Sequence, residues 1–221
     1  MATRSDVATW IDGVIETLLA LEEPVRRDEP DAVHKARTAT RRLRVVLPLV
    51  PGEASARAQK QLRRYGHRLG AARDLEVRAA LAERMLRELG RTRGKADARR
   101  RLVDEVRREY AAAHGRVVGF LDGPGYGKLR RALEEVREPA ASVDELAVLH
   151  AARKAARALR YLAEAYGDLE KAAAGEAVQD ALGEHRDSEL FARDLDGADD
   201  PVSAELCRRA RRRANELVSK Q

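Results

Sequence analysis

A histidine and three arginines recur at one spacing in two places: His34-x-x-Arg37-x-x-x-Arg41-x-x-Arg44 and His150-x-x-Arg153-x-x-x-Arg157-x-x-Arg160. These side chains suit anion binding. Arg is always charged, and its planar fork meets two phosphate oxygens at once. His adds a short donor whose charge changes near neutral pH. At about 100° per helical residue, the four positions fall within roughly an 80° arc. Spacings of three and four therefore let one helix present several donors to successive anionic groups. Without gaps, the two 11-residue segments agree at 7 positions. The stripes carry almost none of the acidic partners that a solvated, salt-bridged face normally holds at those spacings.

Each stripe needs a helix with an apolar back. Ala36, Ala39, Leu43 and Val46 fall opposite the first stripe, and Ala152, Ala155, Leu159 and Leu162 opposite the second. Nearly the whole chain reads this way, with apolar residues recurring at three and four and no convincing alternation over strand length. Pro and Gly punctuate the pattern. Helices are expected near 5–23, 31–50, 54–69, 71–90, 95–120, 126–138, 142–166, 168–182, 184–195 and 201–219. Asp31 and Ser142 are the expected N-caps. A second repeat follows the first: Leu69-Gly70-x-x-Arg73-Asp74 returns as Leu182-Gly183-x-x-Arg186-Asp187. The glycines are 113 residues apart, and the histidines His34 and His150 are 116 apart. The order and near-constant offset predict one all-α domain made of two repeats, 1–122 and 123–221. Halves built alike commonly pack about a pseudo-two-fold axis, which would set both stripes around a basic central cleft.

The composition is compatible with that reading. The chain has 221 residues, a net charge of +6 and 44% hydrophobic residues, of which few are aromatic. The modest basic excess favours anionic partners without choosing among them. One cysteine, Cys207, excludes an intrachain disulfide. No apolar run is long enough to span a bilayer, and residues 1–12 lack the order of a secretory signal. A cytoplasmic location is expected.

The doubled H-x-x-R-x-x-x-R-x-L-R, with L-G-x-x-R-D after the first copy, resembles the CHAD family, named for a helical domain with characteristic histidines. The resemblance covers essentially the whole chain. It implies two bundle-like helical halves flanking a basic pore, binding of inorganic polyphosphate, and association with polyphosphate granules. Carried over by position, the first-half contacts are His34, Arg37, Arg41, Arg44 and Arg73. The second-half contacts are His150, Arg153, Arg157, Arg160 and Arg186. The second copy has Ala158 where the first has Arg42. The E-x-E-x-K signature of the CYTH triphosphatase domain, a frequent neighbour, is not found, so a stand-alone, non-catalytic binding module is expected.

Neighbouring residues widen the candidate surface. Lys60, Arg63, Arg64 and His67 are expected on one side of the next helix, opposite Leu62, Tyr65 and Leu69. At the 113-residue offset, Arg63 and His67 correspond to Glu176 and Asp180, leaving Lys171 as the nearby cation. Arg42, Lys154 and Tyr161 complete the secondary candidates. The site is expected to be more basic on its first side, with Glu164 pairing among the second-stripe arginines. No cofactor or structural metal is expected, since no H-E-x-x-H or Cys/His cluster occurs. Gly123-Pro-Gly-Tyr-Gly-Lys128 reads as a turn and not as a P-loop. His114 and His185 read as packing or surface residues, and Cys207 as a small buried one.

Two other functions compete. The pI of 9.7 and the arginines at 208–213 suit a nucleic-acid binder, although few aromatics are available for base stacking. Asp74 and Asp187 could hold a metal in a phosphohydrolase. Such chemistry usually gathers several carboxylates, and pairing with nearby arginines or helix capping is the expected role of these two.

Overall fold

A computed structural model of the chain describes residues 4–89, 93–140, 143, 145–197 and 201–219. The described residues are all-α, with no strand among them. They divide into two compact units, one of Ser5–Ser142 and one of Val143–Gln221 to which Arg4, the first residue of the first helix, is also assigned.

The first unit contains α1 (Arg4–Ala20), α2 (Glu22–Arg26), α3 (Ala32–Val46), α4 (Glu53–Glu88), α5 (Lys95–Arg99), α6 (Glu105–Asp122) and α7 (Pro124–Ala140). A 3-10 turn, Leu47–Leu49, follows α3, and a π-helical stretch, Arg100–Asp104, joins α5 to α6. Helix α4 is the axis, packing against α3, α6 and α7. Its core line is Leu62, Tyr65, Leu69 and Ala72, all buried. Leu43, Leu62, Leu69, Leu129 and Leu133 are fully buried, each contributing roughly 1.5–3 kcal/mol. Phe120 stacks on Tyr65 with centroids 5.2 Å apart, and Tyr126 closes the cluster at 6.0 Å from Tyr65. Tyr126 belongs to α7, so α7 packs into this unit although the sequence repeat begins near Gly123. The compact units accordingly divide at 142/143.

The second unit contains α8 (Glu145–Tyr166), α9 (Leu169–Asp194) and α10 (Pro201–Ser219), with α9 between the other two. Asp168 caps α9: its carboxylate accepts from Lys171 N at 3.1 Å and Lys171 Nζ at 2.5 Å. Both hydrogen bonds hold the Asp168 carboxyl below the usual carboxylate range.

Several boundaries differ from the sequence expectation. Helix α4 runs unbroken through Gly70, and α9 through Gly183, where breaks were expected after 69 and 182. A glycine inside a helix costs about 1 kcal/mol but does not end it. The expected first helix instead ends at Ala20, and Pro24 falls in the short α2. Asp31 stands at the N-cap of α3 with a left-handed φ of 65°, and its side chain caps nothing. Ser142 lies outside the described residues. Gly123 to Lys128 forms the turn into α7 and its first residues.

The apolar back of α8 is not its buried face. Ala36, Ala39 and Leu43 are buried in the first unit, yet the matching Ala152 and Ala155 are exposed, and Leu159 and Leu162 are 45% and 62% exposed. Ala156 and Ala163 are buried instead. The cause is a close approach at Gly175 of α9. A Cβ there would stand 2.9 Å from both Ala156 O and Arg160 N. That contact line is rotated toward the stripe, by about 60° measured from Leu159 to Ala156.

Candidate anion-binding faces

On α3, His34, Arg41, Arg42 and Arg44 are exposed and Arg37 is half-buried. The stripe straddles the helix crest. On one edge Arg37 and Arg44 lean over α4: a Cβ at Gly70 would stand 3.7 Å from Arg37 Nε, and one at Gly66 3.8 Å from an Arg44 Nη. On the other edge His34 and Arg42 line a shallow groove of about 330 Å³ with Val14 and Thr17 of α1. Arg41 and Arg42 border the adjoining groove beside Trp10. Among the described residues, none of these five cations meets a carboxylate. Some other arginines of the unit are paired, Arg57 with Glu53 and Glu135, and Arg137 with Asp12 and Glu134.

Helix α4 sorts its cations by face. Lys60, Arg63 and His67 are exposed and within about 120° of Gly66 around the helix. Arg64 departs from this expected group. It lies about 160° from Gly66 and lines a different pocket with Arg68 and Arg116, because α6 and α7 occupy the side of α4 away from α3. Arg73 is partly neutralised, 3.0 Å from Glu76 and 3.9 Å from Asp31.

In the second unit His150, Arg153 and Arg186 line one pocket of about 320 Å³ between α8 and α9, together with His185, Glu189 and Arg193. Arg153 lies across Gly183, whose Cβ would stand 3.4 Å from an Arg153 Nη. The first arginine of each stripe thus covers the glycine of the following L-G-x-x-R-D. His185 and Arg193 are additions to the sequence-derived set. His185 is only 6% exposed, and its Nδ1 is buried with no hydrogen-bond partner among the described residues. Its place beside Arg186 in the repeated motif was the available signal.

The rest of the second stripe is less free. Lys154, Arg157 and Tyr161 are exposed along α8. Arg160 is drawn aside: its Nε donates to Glu164 at 2.8 Å, the pairing its spacing predicts, and an Nη lies 3.0 Å from Glu176. Hydrogen bonding to Glu164 holds its guanidinium above the ordinary Arg range. Lys171 is committed to capping α9. Glu176, matched by offset to Arg63, thus supplies negative charge where the first unit supplies positive.

The remaining candidates fall into place. Asp74 and Asp187 are exposed, and neither makes the expected ion pair or cap among the described residues. No group of three His, Cys, Asp or Glu there could hold a metal ion. Arg208 and Arg209 pair with Glu205, Arg211 with Asp196, and Arg213 with Glu184. His114 meets Val25 O at 2.7 Å, a packing role. Cys207 is buried, its thiol donating to Ala192 O at 3.3 Å. Among the described residues, no helix is long and apolar enough to cross a membrane.

Two proteins of Mycobacterium tuberculosis are similar to this chain, the uncharacterized proteins MT2285 of strain CDC 1551 / Oshkosh and Rv2226 of strain ATCC 25618 / H37Rv. Each is 30% identical over 213 residues, covering 79% of this chain and 42% of the relative. The chain thus spans less than half the length of these relatives. No solved structure matches it. Residues 10–148, which hold the first stripe, the first L-G-x-x-R-D and all of α7, match the CHAD domain, and the chain belongs to that family.

Proposed function

We propose that this protein binds inorganic polyphosphate without transforming it, and that it associates with polyphosphate granules in the cytoplasm. The observation that carries the proposal is the α3 crest, where His34, Arg37, Arg41, Arg42 and Arg44 stand together with no carboxylate partner among the described residues. Clustering like charges costs energy that a counter-anion removes. Polyphosphate carries about one negative charge per phosphate and has no bases to read, so guanidinium forks at helical spacing suit it. His150, Arg153, Arg157 and Arg186 offer the same chemistry on the second unit, supplemented by His185. Lys60, Arg63 and His67 extend the first face.

A binding role fits better than phosphoryl transfer, which gathers several carboxylates around a divalent ion. Asp74 and Asp187 belong to different units. The ion pairs of Arg208, Arg209, Arg211 and Arg213 also weaken the nucleic-acid reading.

The test compares long-chain polyphosphate with double-stranded DNA at physiological salt. Polyphosphate should bind more tightly. Arg41→Glu with Arg44→Glu should weaken it at least tenfold while helical circular dichroism is unchanged, because both residues are exposed. Equal or tighter binding of DNA overturns the proposal.

A further inference from the structure

Arg64 and Arg68 of α4 and Arg116 of α6 line one pocket of about 580 Å³ with Phe120 and the turn Gly123–Gly125. All three arginines are exposed, and none meets a carboxylate among the described residues. The adjacent acid, Asp122, is turned away to pair with Arg26. Arg68 is held in place: one Nη donates to Arg64 O at 2.9 Å, and its guanidinium lies 5.1 Å from the Phe120 centroid. Arg64 and Arg68, four residues apart with like charge, destabilise the bare helix. A local rule broken without visible compensation marks a functional position more often than a structural one.

This pocket is separate from the α3 crest. Arg64 and Arg68 each lie about 160° around α4 from Gly66, and about 120° and 160° from Gly70, the residues over which Arg44 and Arg37 lean. The ligand class follows from what the pocket offers. Phe120 is only 8% exposed, with Tyr65 stacked on it and the Arg68 guanidinium over its ring, so it offers little surface on which a base could stack. What remains is three always-charged donors able to share several oxygens.

We propose that Arg64, Arg68 and Arg116 form a second anion site, for a phosphate oxyanion such as pyrophosphate, on the opposite side of α4 from the crest. The site does not depend on the polyphosphate reading.

Calorimetric titration of the full chain with pyrophosphate tests it. Arg64→Ala with Arg116→Ala should weaken pyrophosphate binding at least tenfold, and Arg41→Ala with Arg44→Ala less than threefold. Arg116→Lys, which keeps the charge and loses the fork, should fall between, and it serves as the reporter if the double variant loses helicity. A parallel loss of long-chain polyphosphate binding in the Arg64/Arg116 variant identifies the oxyanion as part of a bound chain. Retained chain binding identifies it as a free small phosphate. Pyrophosphate binding that is absent from the wild type, unchanged in the pocket variants, or equally lost in the crest variant overturns the proposal.

Discussion

Arg160 shows how much a single residue's surroundings decide. Its type and spacing equal those of Arg44, yet Arg44 meets no acid and Arg160 meets two, Glu164 and Glu176. A phosphate arriving at Arg160 must displace carboxylates that already hold the guanidinium, so the residue adds little net attraction. Neutralising both acids reverses this. Glu164→Gln with Glu176→Gln should tighten polyphosphate binding several-fold, measured by competition at fixed salt, and the tightening should vanish when Arg160→Ala is added. No change in affinity would mean that this end of α8 lies outside the contact surface. The Glu164 pairing was readable from its position four residues after Arg160. The Glu176 pairing was not, because it depends on how α8 sits on α9. His185 was readable as a packing residue and is buried as one, but its place in the lining of the pocket of His150 and Arg153 depends on the neighbouring helix.

At the scale of elements, the glycines carry most of what the sequence obscured. Gly70 and Gly183 were read as helix breaks, the usual sense of an isolated Gly between periodic runs. They lie inside α4 and α9, each beneath an arginine of the preceding helix. Gly175 shapes the structure most, since it brings two helix backbones together and so turns Leu159 and Leu162 outward. Periodicity identifies an amphipathic helix but not which flank a close approach will bury. Existence and type of the helices were therefore legible, while the buried face of α8 and the allegiance of α7 were not. The glycines separate by experiment. Gly175→Ala places a Cβ 2.9 Å from main-chain atoms and should destabilise the second unit by about 1–3 kcal/mol. Gly70→Ala meets only the flexible Arg37 side chain at 3.7 Å and should be neutral or stabilising by up to about 1 kcal/mol. Thermal unfolding followed by circular dichroism reads both, and equal midpoints for the two variants would refute the assigned roles.

For the whole molecule, a net charge of +6 understates the attraction available to a polyanion, because the cations are unequally employed. Many arginines are spent on intramolecular carboxylates, whereas the α3 crest keeps five basic side chains unpaired. Affinity and its salt dependence should then come mainly from the first unit. Each phosphate neutralised by the protein releases condensed counterions, and for a flexible single chain the slope of log K against log salt falls by roughly 0.7 per contact. Titrating long-chain polyphosphate between about 50 and 200 mM salt should give a steep negative slope. Arg41→Ala with Arg44→Ala should reduce the magnitude of that slope by roughly 1.4, two contacts' worth. Arg160→Ala should leave it nearly unchanged, since that guanidinium exchanges one set of carboxylates for phosphate and releases few ions. Equal reductions from the two sets of substitutions would show that the ion pairs at Arg160 open freely on binding, and that both stripes contribute alike despite their different resting partners.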